Sequence, residues 1–98
     1  MNIEFLYIVS YSYILGSIPF GLVLTRIFLK KDIRKIGSGN IGATNVLRTG
    51  KKALGIATLM LDGFKAYATV FITLSFFSDY VYLSALLCFL GHIFPIWL

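Results

Sequence analysis

The chain has 98 residues, of which 58% are hydrophobic and 13% charged, with a mean hydropathy of +0.86 and a net charge of +5. A soluble domain carries about a quarter charged residues, so this composition excludes a water-soluble globular domain and points to an all-α integral membrane protein. The length suits one small membrane domain (residues 1–98) and leaves no part outside the bilayer large enough to present a groove to nucleic acid, while the lone Cys88 excludes an internal disulfide or thiolate cluster.

Three apolar segments, at residues 5–29, 53–77 and 80–98, predict three transmembrane helices, since about 20 residues cross a ~30 Å hydrocarbon core. The start is not basic and the first apolar run is too long for a cleavable signal peptide. Within the first segment, Gly16-Ser17-Ile18-Pro19-Phe20-Gly21 predicts a kink, because proline removes a helix hydrogen bond, and close packing, because the small residues let backbones approach. A kink that shapes a substrate cleft is the other reading of the same residues. The segment from Lys30 to Lys52 holds Lys30, Lys31, Arg34, Lys35, Arg48, Lys51 and Lys52 against one acid, Asp32. By the positive-inside rule this loop, residues 30–52, is cytoplasmic, which places the N-terminus and the Ser78-Asp79 turn outside. The same charges attract anionic lipid headgroups, and some of them can also collect an anionic substrate.

Inside that loop lies Gly37-Ser38-Gly39-Asn40-Ile41-Gly42-Ala43-Thr44-Asn45-Val46-Leu47-Arg48. The glycines let backbone N–H groups turn toward one point, the short polar side chains add hydrogen bonds, and Arg48 adds a fixed charge. That set suits a phosphate. The Gly37, Gly39, Gly42 spacing with Asp62 twenty residues on matches the dinucleotide fingerprint, and the same glycines resemble a P-loop without its lysine. Both motifs need a strand in front of them, and here a membrane helix stands there instead, so both readings fail.

The second apolar segment carries Asp62 and Lys65, three apart and so on one helical face. At about 2.5–3.5 kcal/mol each the pair costs up to about 5–7 kcal/mol to insert, which the apolar residues of the helix offset by roughly 3–7 kcal/mol. Such charges are site-lining candidates or a structural ion pair. His92, near the inner end of the third segment before Pro95, is either a packing residue or a site-lining one, with no second metal ligand at helical spacing. Ser17 and Ser38 have no His–Asp partners nearby in sequence, and Trp97 stands where acyltransferases with a His-then-Asp motif carry the aspartate, so no protein nucleophile is expected.

Ser38 to Arg48 resembles the first signature loop of the bacterial acyl-phosphate:glycerol-3-phosphate acyltransferases, the PlsY family. Gly16–Gly21 is similar to the family's first helix, Asp32–Gly37 to the lead into the loop, Asp62 and Lys65 to its second helix (with Ala66 where glycine is usual), and Gly91-His92-Ile93-Phe94-Pro95 to the approach to its second signature. The resemblance implies an acyltransferase of bacterial phospholipid synthesis, in the inner membrane, that moves a fatty acyl group from acyl phosphate to the 1-hydroxyl of glycerol 3-phosphate without a cofactor or metal. It implies that Ser38, Thr44 and Arg48 hold substrate phosphate while Gly39, Asn40, Gly42, Ala43 and Asn45 shape the pocket. The family is a seven-helix protein roughly twice this length, whose Lys-Gly-Gly-Lys-Gly loop would follow Leu98. The chain therefore reads as an N-terminal half, with the C-terminal half or an acyl-phosphate-forming enzyme as partners. An inactive membrane remnant, or a helical protein that binds lipid phosphate, is the alternative reading.

Overall fold

A computed structural model describes residues 2–97, and regular structure among them is helical, with no strand. Helix α1 (Ile3–Gly16) starts where Asn2 caps it, its side-chain oxygen accepting from the Phe5 N–H at 2.9 Å. Pro19 has no N–H to continue the ladder, so the helix stops and α2 (Phe20–Leu29) resumes with Val23 donating to the Pro19 carbonyl at 2.9 Å. The kink expected from sequence is thus a full break, within an apolar stretch of 27 residues, Ile3–Leu29. A 3-10 turn (Ile33–Lys35), a short helix α3 (Ala43–Leu47) and the long helix α4 (Lys52–Phe76) follow. The chain then passes through a second 3-10 turn (Ser78–Tyr80) into α5 (Val81–Ile93).

Ile3–Leu29 and Lys52–Phe76 are long and apolar enough to cross a bilayer, the latter spanning about 37 Å. The third apolar helix is shorter than the sequence suggested: the 13 residues of α5 rise only about 20 Å. Pro95 disfavours helical geometry at Phe94, which sits at φ −122°, ψ 69°, and the helix ends at Ile93 instead of running on to 98.

Burial is inverted relative to a water-soluble protein. Ser12, Ser17, Thr25, Thr58, Thr69, Thr73 and Ser84 are fully buried, whereas Leu59, Phe64, Phe71, Phe76 and Phe89 are exposed. Lipid reverses the usual preference: large apolar side chains face it freely, and small or hydroxylated ones form the helix contacts.

The chain forms two compact units. In the first, residues 2–18 with 64–97, α1 packs on α5 at a glycine seam. A Cβ on Gly16 would run into the Cys88 carbonyl, and one on Gly91 into the Tyr13 carbonyl, so the two backbones lie in near contact. Hydroxyls bridge the same seam: Ser12 pairs with Ser84 at 2.8 Å, Thr73 donates to Ser84 at 2.7 Å, and the Tyr11 hydroxyl bonds Thr73. The chain after α5 is tied to α1 by the Tyr13 hydroxyl, which donates to the Phe94 carbonyl, and by the Ile96 N–H, which donates to Ser17 Oγ at 3.3 Å.

In the second unit, residues 19–63, the core is Leu22, Ile33 and Val46, with Ile36, Ile41 and Leu54 packed against it. Gly21 sits directly under the Ile41 carbonyl, where any side chain would collide. This contact seats the polar loop on α2.

Candidate functional site

The loop from Gly37 to Arg48 is organised by one buried side chain. Asn45, only 1% exposed, lies on α3 and turns its amide back into the loop. Its Nδ2 donates to the carbonyls of Ile36 and Asn40, both at 2.8 Å, and lies 3.3 Å from that of Ile33. An amide nitrogen has two protons, so the longest of these shares a donor. Its Oδ1 accepts from the Ser38 N–H at 3.3 Å. Valine and isoleucine neighbours make this possible: Val46 and Ile33 fill the core on either side and carry Asn45 into it.

Two smaller turns complete the loop. Ser38 Oγ accepts from the Asn40 N–H at 3.3 Å, and Asn40 Oδ1 from the Gly42 N–H at 2.9 Å. Gly39 N–H donates to the Ile36 carbonyl at 2.9 Å. Gly37 and Gly39 adopt left-handed φ of 54° and 77°, and a Cβ on Gly37 would strike Asn45 Oδ1. Here the structure corrects the sequence reading. The glycines were expected to turn backbone N–H groups toward one point, but the N–H groups of Ser38, Asn40 and Gly42 bond to short polar side chains of the loop and that of Gly39 to the Ile36 carbonyl.

The donors presented outward are side chains. Ser38, Asn40, Thr44 and Arg48 are exposed, Gly39, Gly42 and Ala43 half-buried. The Ser38 hydroxyl accepts through a lone pair and keeps its proton to give. The Arg48 stem passes beside Gly37, 3.5 Å from where a Cβ would stand. Its guanidinium carries no ion pair among the described residues. Asn45, one of the residues expected to form the pocket, is walled off from solvent and acts as the pin that shapes it.

The 3-10 turn ahead of the loop is a charge clamp that sequence reading did not single out. Asp32 accepts from Arg34 Nε at 3.0 Å and Nη2 at 2.8 Å, and from the Arg34 backbone N–H at 3.0 Å, with Arg26 Nη2 at 3.5 Å. The Arg34 hydrogen bonds hold the Asp32 carboxyl well below the usual carboxylate range, and Asp32 raises Arg34 in return. The available signal was Asp32 as the only acid among eight cations from Arg26 to Lys52.

Of the helical candidates, Asp62 belongs to the same unit as the loop and is half-buried. Lys65 and His92 belong to the other unit. Lys65 is 5% exposed and its Nζ donates to the Ile18 carbonyl at 2.9 Å, where the break before Pro19 leaves α1 carbonyls in need of a donor. His92 is half-buried on α5. Among the described residues no three His, Cys, Asp or Glu side chains gather as a metal site, so the groups offered to a ligand are hydroxyls, an amide and a guanidinium.

These features define a helical integral membrane protein with a basic, glycine-spaced loop following its first apolar stretch. A family model described as Glycerol-3-phosphate acyltransferase matches residues 6–98. A glycerol-3-phosphate acyltransferase of Pelagibacter ubique is 61% identical over 95 residues, covering 97% of this chain and 50% of that protein. The enzyme of that name from Rhodopseudomonas palustris (strain BisB5) is 60% identical over 87 residues, covering 88% of the chain and 44% of the relative. Among solved structures, the crystal structure of PlsY (YgiH), an integral membrane glycerol 3-phosphate acyltransferase in its glycerol 3-phosphate form, matches with a TM-score of 0.84 and 36% identity, over 94% of this chain and 47% of that one. The chain belongs to the glycerol-3-phosphate acyltransferase family. It spans about half the length of the curated relatives it matches.

Proposed function

We propose that this chain provides the phosphate-handling loop of an enzyme that transfers a fatty acyl group from acyl phosphate to the 1-hydroxyl of glycerol 3-phosphate. The observation that carries the reading is the pinned loop of the family's matched half: Asn45 fixes its backbone and leaves Ser38, Thr44 and Arg48, which has no ion pair among the described residues, as outward donors. A planar guanidinium with two hydroxyls fits the oxygens of a phosphate monoester or acyl phosphate.

The reaction asks for little more. The acyl carbon of acyl phosphate is already activated. The glycerol hydroxyl oxygen attacks it, the bond from acyl carbon to phosphate oxygen breaks, and the hydroxyl proton ends on the departing phosphate, giving lysophosphatidic acid and inorganic phosphate. No residue need form an acyl intermediate. The contribution of Arg48, Thr44 and Ser38 is to place two anions together and to stabilise the charge on the leaving phosphate. In this reading Asp62 lines the site from α4, the loop faces the cytoplasm of a bacterial inner membrane with the N-terminus outside, and the partners are membrane lipids, a C-terminal half and the source of acyl phosphate.

The test joins this chain in frame to the remaining half of the Pelagibacter ubique relative. Membranes bearing the chimera receive acyl phosphate and labelled glycerol 3-phosphate, and labelled lysophosphatidic acid is measured. A chimera that inserts into membranes yet makes no product above background overturns the proposal. In an active chimera, Arg48→Ala is expected to lower kcat/KM by about 10²–10³, the scale for removing one charge-stabilising donor, and unchanged turnover removes Arg48 from the site.

A further inference from the structure

The cations ahead of the loop are arranged differently from those in it. Asp32 binds both Arg34 of the turn and Arg26 of α2, so the two arginines are held in place and partly neutralised. Lys30, Lys31 and Lys35 are exposed and have no ion pair among the described residues. The turn that carries Lys35 is anchored by Ile33, which is 0% exposed, two residues after Lys31. Lys30 closes α2 in a left-handed conformation, φ 54°, and turns the chain out of the helix there. Immediately before it, Ile27 and Phe28 are 61% and 65% exposed at the end of an apolar helix. Between Ile27 and Lys31 the surface changes from exposed apolar side chains to ammonium groups without an ion pair among the described residues, and Lys35 follows on the turn. That is the depth profile of a bilayer interface, with aliphatic and aromatic side chains in the acyl region and lysines at the phosphates.

We infer that Lys30, Lys31 and Lys35 form an anionic-phospholipid headgroup site at the end of α2, distinct from the Ser38–Arg48 loop, with Ile27 and Phe28 seated among the acyl chains of the lipids it holds. The lysines suit this partner. An ammonium is a compact, well-hydrated point charge that meets a lipid phosphodiester without the fixed two-point geometry of a guanidinium. The chain thereby handles two kinds of anion with two sets of side chains: lipid at the lysines, and a small phosphorylated ligand at the loop. The lipid site stands independently of the acyl-transfer reading, since it is measured with no substrate present.

The experiment titrates the detergent-solubilised 98-residue chain with phosphatidylglycerol or phosphatidylcholine and counts bound lipid by native mass spectrometry. Expected is a preference for phosphatidylglycerol that weakens as salt rises from about 0.1 M to about 1 M, where the screening length falls from about 10 Å to about 3 Å. The variant Lys30→Asn/Lys31→Gln/Lys35→Gln, with asparagine chosen because it tolerates the left-handed position, should lose about 5-fold of that preference per lysine, on the order of 100-fold in all. Arg48→Ala should leave the preference intact. Three results overturn the site: equal binding of both lipids by the wild-type chain, a preference that Arg48→Ala abolishes while the lysine variant keeps it, or full displacement of phosphatidylglycerol by millimolar inorganic phosphate or polyglutamate, which would assign the lysines to a free anion or an acidic protein. If the lysine variant does not fold, the salt titration and the Arg48→Ala arm on wild-type-like protein still decide the matter.

Discussion

Replacing Asn45 by alanine tests the claim that one buried amide holds the loop in shape. The substitution removes two well-placed donor bonds to the Ile36 and Asn40 carbonyls, the weaker contact to Ile33, and the acceptor for the Ser38 N–H. At about 0.5–1.5 kcal/mol net per bond, with the bonds partly buried, the loop is destabilised by about 2–4 kcal/mol. That is a shift of roughly 30- to 1,000-fold in the equilibrium between closed and open loop. Amide hydrogen exchange, followed segment by segment, reads it directly: residues 37–44 should exchange faster by that factor, while the α1–α5 seam in the other unit keeps its wild-type protection. Asn45→Asp should be at least as damaging, because a carboxylate oxygen then faces two carbonyls. If residues 37–44 exchange at the wild-type rate in Asn45→Ala, the loop is held by something else and the pin is refuted.

Three further outcomes follow from the packing and the charge clamp. Gly91→Ala drives a methyl into the Tyr13 carbonyl and should cost about 1–3 kcal/mol, seen as a lower melting temperature in detergent; an unchanged value would mean that the seam is loose. Thr73→Val removes the bonds to Ser84 and Tyr11 and should cost only about 0.6–1.7 kcal/mol, clearly less than the glycine change. Asp32 has its carboxyl depressed by Arg34, so its stabilisation is complete above the unfolded value near pH 4 and fades only as pH falls toward the lower folded value. The melting-temperature gap between wild type and Asp32→Asn should therefore be constant from pH 5 to pH 8 and narrow on acidification, and a gap that widens on acidification would contradict the clamp.

The elements that the sequence disclosed are those written in long, local patterns. Apolar runs marked the helical segments and Pro19 a kink in the first, which the structure shows as a full break; Pro95, through which the third segment was read as one helix, ends α5 at Ile93. Gly16 was legible as a packing residue, but its partner Gly91 was not, since nothing local ties residues 75 positions apart. The five residues of α3 are too few for a periodic signal, so the helix that delivers Asn45 was invisible. This is why Asn45 read as one more polar group around a phosphate: whether a loop amide points outward or inward depends on Val46 and Ile33, which bury it. Ser38, Thr44 and Arg48 were expected from their chemistry as the phosphate-holding residues, and the structure leaves all three exposed.

The hydroxyls at the helix contacts also bear on how the chain is made. Ser17 bonds back to the Tyr13 carbonyl, Thr58 to Leu54, Thr69 to Lys65 and Thr73 to Thr69, each one turn earlier in its own helix. Ser17, at the end of α1, leaves the ribosome 79 residues before Ile96, whose N–H it accepts, a delay of roughly 4–16 seconds at ordinary rates of synthesis. Throughout that wait the serine can rest on its own helix in lipid, and when the partner arrives a remaining lone pair is ready to accept its N–H. A buried asparagine or glutamine at the same positions would have no such resting place, and the nascent helix would be driven to pair early with whatever polar segment lay nearest.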